Sequence, residues 1–283
     1  MTKKGLISIV ERDHVVSLLD HNKRSDARAF DEFRKITVIP GYIQKAEGSA
    51  IVKLGQTKVI VGVKAQLGEP YPDTPNSGVV TTSVELIPIA SPIFESGPPR
   101  ERAIELARVT DRPIRESGAV DLEALAVIPG KQVWILFVDI YVLDHDGNLF
   151  DACEIGALAA LKNTMLPEIE IVTNDDGSEE VKYLGSTRPL KLKHVPISCT
   201  FSKIGDNLIV DPALDEELVE DARLTLAFTE DGEICSTQKG ESGVFTEEEV
   251  FKCIEIAAEK TKEIRTHLDE WTDKEGNPWS ETV

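Results

Sequence analysis

The residues with the clearest chemical potential in this chain are arginines concentrated in one short segment. Five of the twelve arginines fall within sixteen residues, at Arg100, Arg102, Arg108, Arg112 and Arg115. The planar guanidinium group matches phosphate oxygens better than the ammonium group of lysine does. The whole chain carries a formal charge of −19, so its overall composition does not require this local concentration. The arginine segment, residues 100–115, therefore predicts contact with a polyphosphate partner.

A second interpretation is that the arginine segment is an ion-paired surface helix. If residues 100–112 are helical, Glu105 and Asp111 each lie three residues from Arg108. Carboxylates at that spacing can neutralise an arginine on the same helix face. The pattern alone leaves both interpretations open.

Proline is expected to limit the helix of the arginine segment. Pro113 disfavours helical geometry at Arg112 and removes a backbone donor, so the helix should end or kink there. Arg108 and Arg112 can then share one face, one turn apart, while Arg115 lies on the following turn.

Size and composition predict a soluble globular protein of 283 residues, with 41% hydrophobic and 29% charged residues. This length suits one large domain or two closely packed halves. The apolar stretch after Lys4 is too short for a signal peptide, and the longest apolar run, residues 133–143, is interrupted by Asp139. We therefore expect a cytoplasmic protein with no membrane partner.

Metal, disulfide and cofactor sites are not predicted. The four cysteines are scattered without a CxxC pair, which indicates buried free thiols, and the five histidines include no pair at ligand spacing. The acidic residues between Asp211 and Asp221 could be offered as a metal site, but residues 215–221 are more typical of an exposed short helix.

Strand and helix patterns recur in a similar order along the chain. Helices are predicted at 6–20, over the arginine segment, at 150–166 and from Thr246, where Glu249 completes a capping box. The predicted strands cover 50–54, 58–63, 84–89, 132–143, 195–202, 208–211, 224–229 and 233–239. Strands followed by a helix, twice over, predict an α/β fold of two related halves that share one core.

The order of several short motifs resembles the RNase PH family over roughly residues 20–265. The motifs are Arg24-Ser25-Asp26-Ala27-Arg28, Phe33-Arg34, Gly48-Ser49-Ala50, Gly55-Gln56-Thr57, Asp146-Gly147-Asn148, Asp151-Ala152-Cys153 and Asp211-Pro212. Two further segments, Gly97-Pro98-Pro99 and residues 104–112, resemble the subfamily of the larger, non-catalytic ring subunit of the archaeal exosome. The resemblance implies an RNase PH fold of two βαβ-type halves. We divide the chain into an N-terminal arm (1–30), a first half (31–185) and a second half with the C-terminal helix (186–283).

The resemblance also implies phosphorolysis, in which inorganic phosphate attacks the 3′-terminal phosphodiester of RNA. This sequence departs from the expected anion-handling residues at three places. Glu101 and Ala103 stand where an arginine and a hydroxyl would hold phosphate, Leu149 replaces an arginine of the phosphate loop, and Arg223 replaces an aspartate. We therefore expect no catalytic residue in this chain.

The leading hypothesis is a catalytically silent exosome subunit that binds RNA through Arg108, Arg112 and Arg115. The resemblance implies a catalytic RNase PH-type partner in a trimer of heterodimers, RNA-binding cap subunits and single-stranded RNA as partners. The alternatives are a self-sufficient phosphorolytic 3′–5′ exoribonuclease and a scaffold whose arginines are only ion-paired.

Overall fold

A computed structural model describes residues 8–175 and 177–272 of the chain. The first part of the described chain contains α1 (Ile9–Asp20), β1 (Ile36–Pro40), β2 (Gly48–Leu54), β3 (Thr57–Gly68), β4 (Val79–Leu86), α2 (Glu101–Glu116), β5 (Ala126–Ile128), β6 (Gln132–Asp144), α3 (Leu149–Lys162), β7 (Met165–Thr173) and β8 (Glu179–Pro189). The second part contains β9 (Ile197–Ile204), β10 (Asn207–Val210), α4 (Leu214–Val219), β11 (Ala222–Phe228), β12 (Ile234–Gly240) and α5 (Glu247–Thr272).

The strands form two main sheets and one separate ribbon. The first sheet has the order β1-β2-β3-β6-β4, with β5 also paired to β6, and only β4 runs parallel to its neighbour. The second sheet is antiparallel in the order β10-β9-β11-β12. Strands β7 and β8 pair only with each other.

Helix α3 lies at the centre of the molecule and is buried along its whole length up to Leu161. Its small residues allow the helix to approach the first sheet closely. A Cβ atom added at Gly156 would lie 2.8 Å from a methyl group of Val61, so only glycine fits without a shift. The main hydrophobic core also includes Ile197, Ile264 and Leu268 of the second half, so the two halves share it.

The mixed α/β fold of two related halves is confirmed, and most predicted elements lie within a few residues of their expected bounds. The capping box at the start of α5 is present: Glu249 N donates to Thr246 Oγ1 at 3.2 Å, and Thr246 N donates to Glu249 Oε2 at 2.7 Å. The predicted first helix begins at Ile9, and its first residues lie outside the described part of the chain. The proposed division at residues 30 and 185 stays a prediction.

Three expectations about the elements were wrong. The strand expected at 84–89 lies at Val79–Leu86, and the central helix ends at Lys162 because β7 begins at Met165. Of the two outcomes expected at Pro113, an end or a kink, the end is wrong, because the helix of the arginine segment continues to Glu116. Pro113 removes only one N–H, the one that would reach the carbonyl group of Val109, and the helix continues past it for only three residues. Within the described residues, no helix is long and apolar enough to cross a membrane.

Candidate RNA-contacting helix and anion site

Helix α2 presents the arginine segment because its apolar residues repeat at helical spacing. The residues that it buries are Ala103, Leu106, Val109, Thr110, Pro113 and Ile114. This stripe packs against β4, and the helix also approaches β12 of the second sheet. Residues on the opposite face, among them Arg108 and Arg115, are exposed.

Arg108 is exposed and has no ion pair or hydrogen bond from its guanidinium group to any residue that the structure describes. Both carboxylates that could have neutralised it have other partners. Glu105 accepts a hydrogen bond from Arg223 at 2.6 Å, and Asp111 is paired with Arg115. The ion-paired interpretation therefore fails for Arg108, whose charge is available to an external anion.

Arg112 and Arg115 differ from Arg108 in how far their charges are compensated. Arg112 is half-buried and donates to the carbonyl oxygen of Thr237 at 3.3 Å and to Oε1 of Gln238 at 3.2 Å. These acceptors are neutral, so the charge of Arg112 is held in place against β12 but not cancelled. Arg115 is neutralised by Asp111, although 62% of its side chain is exposed.

The two arginines at the start of α2 serve internal contacts. Arg100 pairs with Glu95 at 2.6 Å on the surface. Arg102 lies 3.0 Å from Nε2 of His145 and donates to Oε1 of Glu217 at 2.6 Å. His145, which the sequence would allow on the surface, is buried and stacks on Phe94 with ring centroids 5.3 Å apart. Burial lowers the pKa of His145 to about 4, so this ring is neutral near pH 7.

The loop before α3, where the sequence resemblance places the phosphate loop, is packed tightly against the start of α4. Gly147 has φ of +86°, and a Cβ atom there would lie 2.5 Å from the carbonyl oxygen of Pro212. Asn148 caps α3 in a left-handed conformation, and its backbone N–H donates to Oε2 of Glu217 at 3.0 Å. Leu149, which replaces the expected arginine, is buried and offers no charge.

Glu217 thus supplies a carboxylate at the position where the loop and Arg102 would meet an anion. Burial alone would raise the pKa of Glu217, but the charges of Arg102 and Arg223, among others, lower it below the usual range. The carboxylate is therefore ionised at neutral pH. Sequence analysis missed this role, because Arg102 and Glu217 are 115 residues apart in the chain.

Arg223, which stands where the family would have an aspartate, lies with its guanidinium carbon 4.0 Å from the centroid of the Phe150 ring. It also donates to Glu105, and it is only 8% exposed. A buried cation in this position cannot act as a general acid or as a metal ligand. Arg223 is thus part of a structural ion pair at the position where the sequence resemblance placed an aspartate.

The acidic cluster near α4 forms the predicted short helix, but the expectation that it is exposed was wrong. Glu216 is buried and forms a bidentate pair with Arg24 at 2.8 and 2.6 Å. Glu220 is also buried and accepts a hydrogen bond from Ser202. Glu216 neutralises the buried Arg24, and Glu220 accepts a hydrogen bond from Ser202, so these two carboxylates are not arranged as a metal site.

Asp211 is the centre of a larger buried network that joins the N-terminal segment to the second half and to α3. Its carboxylate accepts from the backbone N, Nε and a terminal nitrogen of Arg34 at 2.8, 2.9 and 2.7 Å. It also accepts from Arg28 at 3.0 Å and from Nδ2 of Asn148 at 2.7 Å. Several motifs that carry the family resemblance therefore meet at one structural ion-pair network.

One group of side chains in the described part of the chain could hold a metal ion. The possible ligand atoms of His194, Glu230 and Asp231 lie within 4.8 Å of one another. Nδ1 of His194 is 2.8 Å from Glu230, which also accepts from the backbone N–H of Val195 at 3.2 Å. His194 and Glu230 satisfy one another at the surface, and we assign the group no metal.

The family models of the 3′ exoribonuclease family match this chain twice, with domain 1 at residues 32–167 and domain 2 at residues 194–260. The "Exosome complex component Rrp42" of Pyrococcus horikoshii is 52% identical over 276 residues, which cover 98% of this chain and 100% of the relative. The protein of the same name from Methanothermobacter thermautotrophicus is 46% identical over 269 residues, covering 95% of this chain and 98% of the relative.

Solved structures agree with these relatives. A chain of the Archaeoglobus fulgidus exosome with RNA bound to the active site has a TM-score of 0.84 and 46% identity, and the match covers 91% of this chain and 97% of that one. A chain of an archaeal exosome core has a TM-score of 0.80 and 42% identity, with 92% and 96% covered. The chain therefore belongs to the RNase PH family of 3′ exoribonucleases, in which it groups with the archaeal Rrp42 exosome components.

Proposed function

We propose that this chain is a non-catalytic ring subunit of an archaeal exosome, paired with a catalytic RNase PH-type subunit in a trimer of heterodimers that RNA-binding cap subunits complete. In this role Arg108 and Arg112, with a smaller contribution from Arg115, bind single-stranded RNA during 3′–5′ phosphorolytic degradation. Relatives that cover the chain end to end bear the name of an exosome component, and a similar chain belongs to an exosome with RNA bound.

The observation that carries the RNA-binding part is the uncompensated charge of Arg108 in a strongly acidic chain. The neighbouring carboxylates on α2, Glu105 and Asp111, are paired with other arginines, so the exposed guanidinium group of Arg108 is free to bind an external anion. Phosphate neutralisation supplies most of the affinity of nucleic-acid binders, which usually present broad basic surfaces. A subunit with a net charge of −19 fits RNA binding if only one patch faces the strand.

Catalytic silence is supported by the chemistry of the anion site. Phosphorolysis requires a site that holds inorganic phosphate beside the RNA phosphate, together with a carboxylate array. Here Ala103 and Leu149 are buried apolar residues, Arg223 occupies the position of a carboxylate, and Glu217 is ion-paired with Arg102. A second anion at this place would meet the charge of Glu217.

We expect the purified chain alone to release no nucleoside diphosphate from RNA in the presence of phosphate. The measurement is chromatography of the products formed from a 3′-labelled oligoribonucleotide. Adding the catalytic partner should restore degradation, which controls for the quality of the RNA and of the chain. Phosphate-dependent release that stays constant through successive purification steps would establish the self-sufficient enzyme instead.

We expect Arg108→Ala to weaken RNA binding by the assembled ring about threefold to tenfold, the loss of roughly 0.7–1.4 kcal/mol from one exposed charged contact. Phosphate contacts do not read bases, so the loss should be similar for different RNA sequences. The salt dependence of binding should flatten by roughly one unit of slope. Fluorescence anisotropy with a labelled RNA at two salt concentrations measures both effects.

Arg115→Ala is the matched control, because it removes an arginine of the same helix whose charge Asp111 already neutralises. Its effect should be clearly smaller than that of Arg108→Ala. Arg112→Ala should resemble Arg108→Ala in affinity, with a small additional loss of stability from its contacts with β12. If the affinity of the assembled ring for RNA is unchanged in both the Arg108 and the Arg112 variants, these arginines do not bind RNA and the chain acts as a scaffold.

The cysteines support a cytoplasmic location for this complex. Cys153, Cys199, Cys235 and Cys253 are all free, and three of them are buried. Buried thiols without partners are typical of proteins that work in a reducing compartment.

A further inference from the structure

Glu217 is bound as a ligand would be, by donors that come from two other parts of the chain. Arg102 of α2 donates to one carboxylate oxygen at 2.6 Å, and the backbone N–H of Asn148 donates to the other at 3.0 Å. The Glu217 side chain is 15% exposed, so the carboxylate is partly withdrawn from water. The contact joins α4 to the N-terminus of α3.

The surroundings of this carboxylate are suited to an anion. The N-terminus of the 14-residue helix α3 carries a partial positive charge, and helix N-termini together with arginine are common phosphate sites. Burial raises the pKa of Glu217, and this is the largest single effect. The charges of Arg102, His145 and Arg223 act in the opposite direction and together lower the pKa below its ordinary value, so Arg223 is also close enough to act on this carboxylate. Arg223 is only 8% exposed, and within the described structure its Nε atom has no hydrogen-bond partner.

We propose that Glu217 is an internal substitute for phosphate, and that removing its side chain opens a site for one tetrahedral oxyanion between Arg102 and the N-terminus of α3. The oxyanion is inorganic phosphate or a terminal phosphate group of RNA, which present the same oxygens to the same donors. This inference rests on the proposed catalytic silence and deepens it, because the anion site persists but is filled from within the chain.

The test compares phosphate binding by full-length Glu217→Ala and wild-type chains, using isothermal titration with inorganic phosphate. We expect Glu217→Ala to bind phosphate at least tenfold more tightly than the wild type does. Phosphate should also raise the melting temperature of this variant more than chloride does at equal ionic strength. The double variant Arg102→Ala/Glu217→Ala should lose both effects, because it lacks the principal donor.

Asp215→Ala is the matched control, since Asp215 lies on the same short helix and its loss changes the net charge by the same amount. If Asp215→Ala gains as much phosphate affinity as Glu217→Ala, the effect is one of general charge and the proposal is overturned. If Glu217→Ala folds only when phosphate is added, inorganic phosphate has taken the place of the Glu217 carboxylate, and the proposal is supported. If it does not fold in either condition, Glu217→Ser, which also vacates the space between Arg102 and the N-terminus of α3, decides by the same titration, and equal affinity for phosphate in Glu217→Ser and wild type overturns the proposal.

Two arms distinguish the sources of the oxyanion. A short oligoribonucleotide with a terminal phosphate is compared with the same oligonucleotide without it, each in competition with inorganic phosphate on Glu217→Ala. If only the phosphorylated oligonucleotide displaces inorganic phosphate, the site accepts terminal RNA phosphates in addition to free phosphate. If neither oligonucleotide displaces it, the site accepts free phosphate alone. Binding at this site does not involve Arg108 or Arg112, so failure here leaves the RNA-affinity experiment on the ring unaffected.

Discussion

The substitution Asp211→Asn should lower the free energy of unfolding of the chain by roughly 3–5 kcal/mol, the usual cost of removing one partner from a buried ion pair. Asp211 is fully buried and accepts hydrogen bonds from Arg28, Arg34 and Asn148. Asparagine keeps the shape of the side chain but removes the negative charge. The variant would leave the buried guanidinium group of Arg34 with Asp146, 3.5 Å away and partly exposed, as its remaining ion-pair partner.

Urea denaturation at pH 7 measures this loss, and Asp206→Asn is a suitable control. Asp206 lies exposed in the turn between β9 and β10, where the same chemical change should alter stability by less than about 0.5 kcal/mol. A loss below about 1 kcal/mol for Asp211→Asn would mean that the network contributes little to folding.

The pH dependence of the Asp211 network follows from the direction of its pKa shift. Burial would raise the pKa of Asp211, but hydrogen bonding and the charges of Arg34 and Arg28 lower it below its ordinary value of 3.8. A carboxylate with a lowered pKa stabilises the fold above its unfolded pKa, and that stability disappears as pH falls through the lower, folded value. The stability difference between wild type and Asp211→Asn should therefore be constant near neutral pH and shrink only in strong acid.

Elements with strong local signals were predictable from the sequence. The hairpin of β2 and β3, the central strand β6 and the capped helix α5 combine β-branched runs or helical spacing with clear end signals. The β7–β8 ribbon was not predicted, although residues 168–171 of β7 alternate between glutamate and isoleucine, because the alternation is short, β8 shows none, and most residues of the ribbon are exposed.

The charged residues of the site could be found from the sequence, but their partners could not. The local pattern offered Glu105 and Asp111 as partners of Arg108 because they are three residues away. In the structure Glu105 binds Arg223, 118 residues distant, and this leaves Arg108 free for an external anion. In the same way Glu216 and Glu217 were expected in solvent, since nothing nearby in the sequence indicates Arg24 or Arg102.

The second large effect is expected at Glu154, a fully buried residue of α3 whose carboxyl group is not part of the anion site. Burial raises its pKa from the ordinary value of 4.5 to about 8, and within the described structure neither carboxylate oxygen of Glu154 has a hydrogen-bond partner. In the folded chain this group therefore keeps its proton near neutral pH, whereas in the unfolded chain it loses the proton above about pH 4.5. Folding then requires uptake of a proton, and stability falls as pH rises from the unfolded pKa to the folded pKa.

Glu154→Gln should remove this cost, because glutamine resembles the protonated acid and does not ionise. We expect the variant and the wild type to have similar stability at pH 4.5 and below, with the variant gaining roughly 3 kcal/mol by pH 7 at about 1.4 kcal/mol per unit of pKa shift. Asp151, whose pKa burial raises to about 7, gives the wild type a slope of the same sign. The informative quantity is therefore the difference between variant and wild type, obtained from urea denaturation at several pH values.

Glu259→Gln, an exposed change on α5, supplies the control and should show no comparable pH-dependent difference. If the difference between Glu154→Gln and wild type is instead constant from pH 5 to pH 8, Glu154 is ionised in the folded state. In that case its charge must be balanced within the core. A difference that grows with pH would identify Glu154 as a neutral buried acid, retained at a cost to stability that the rest of the shared core offsets.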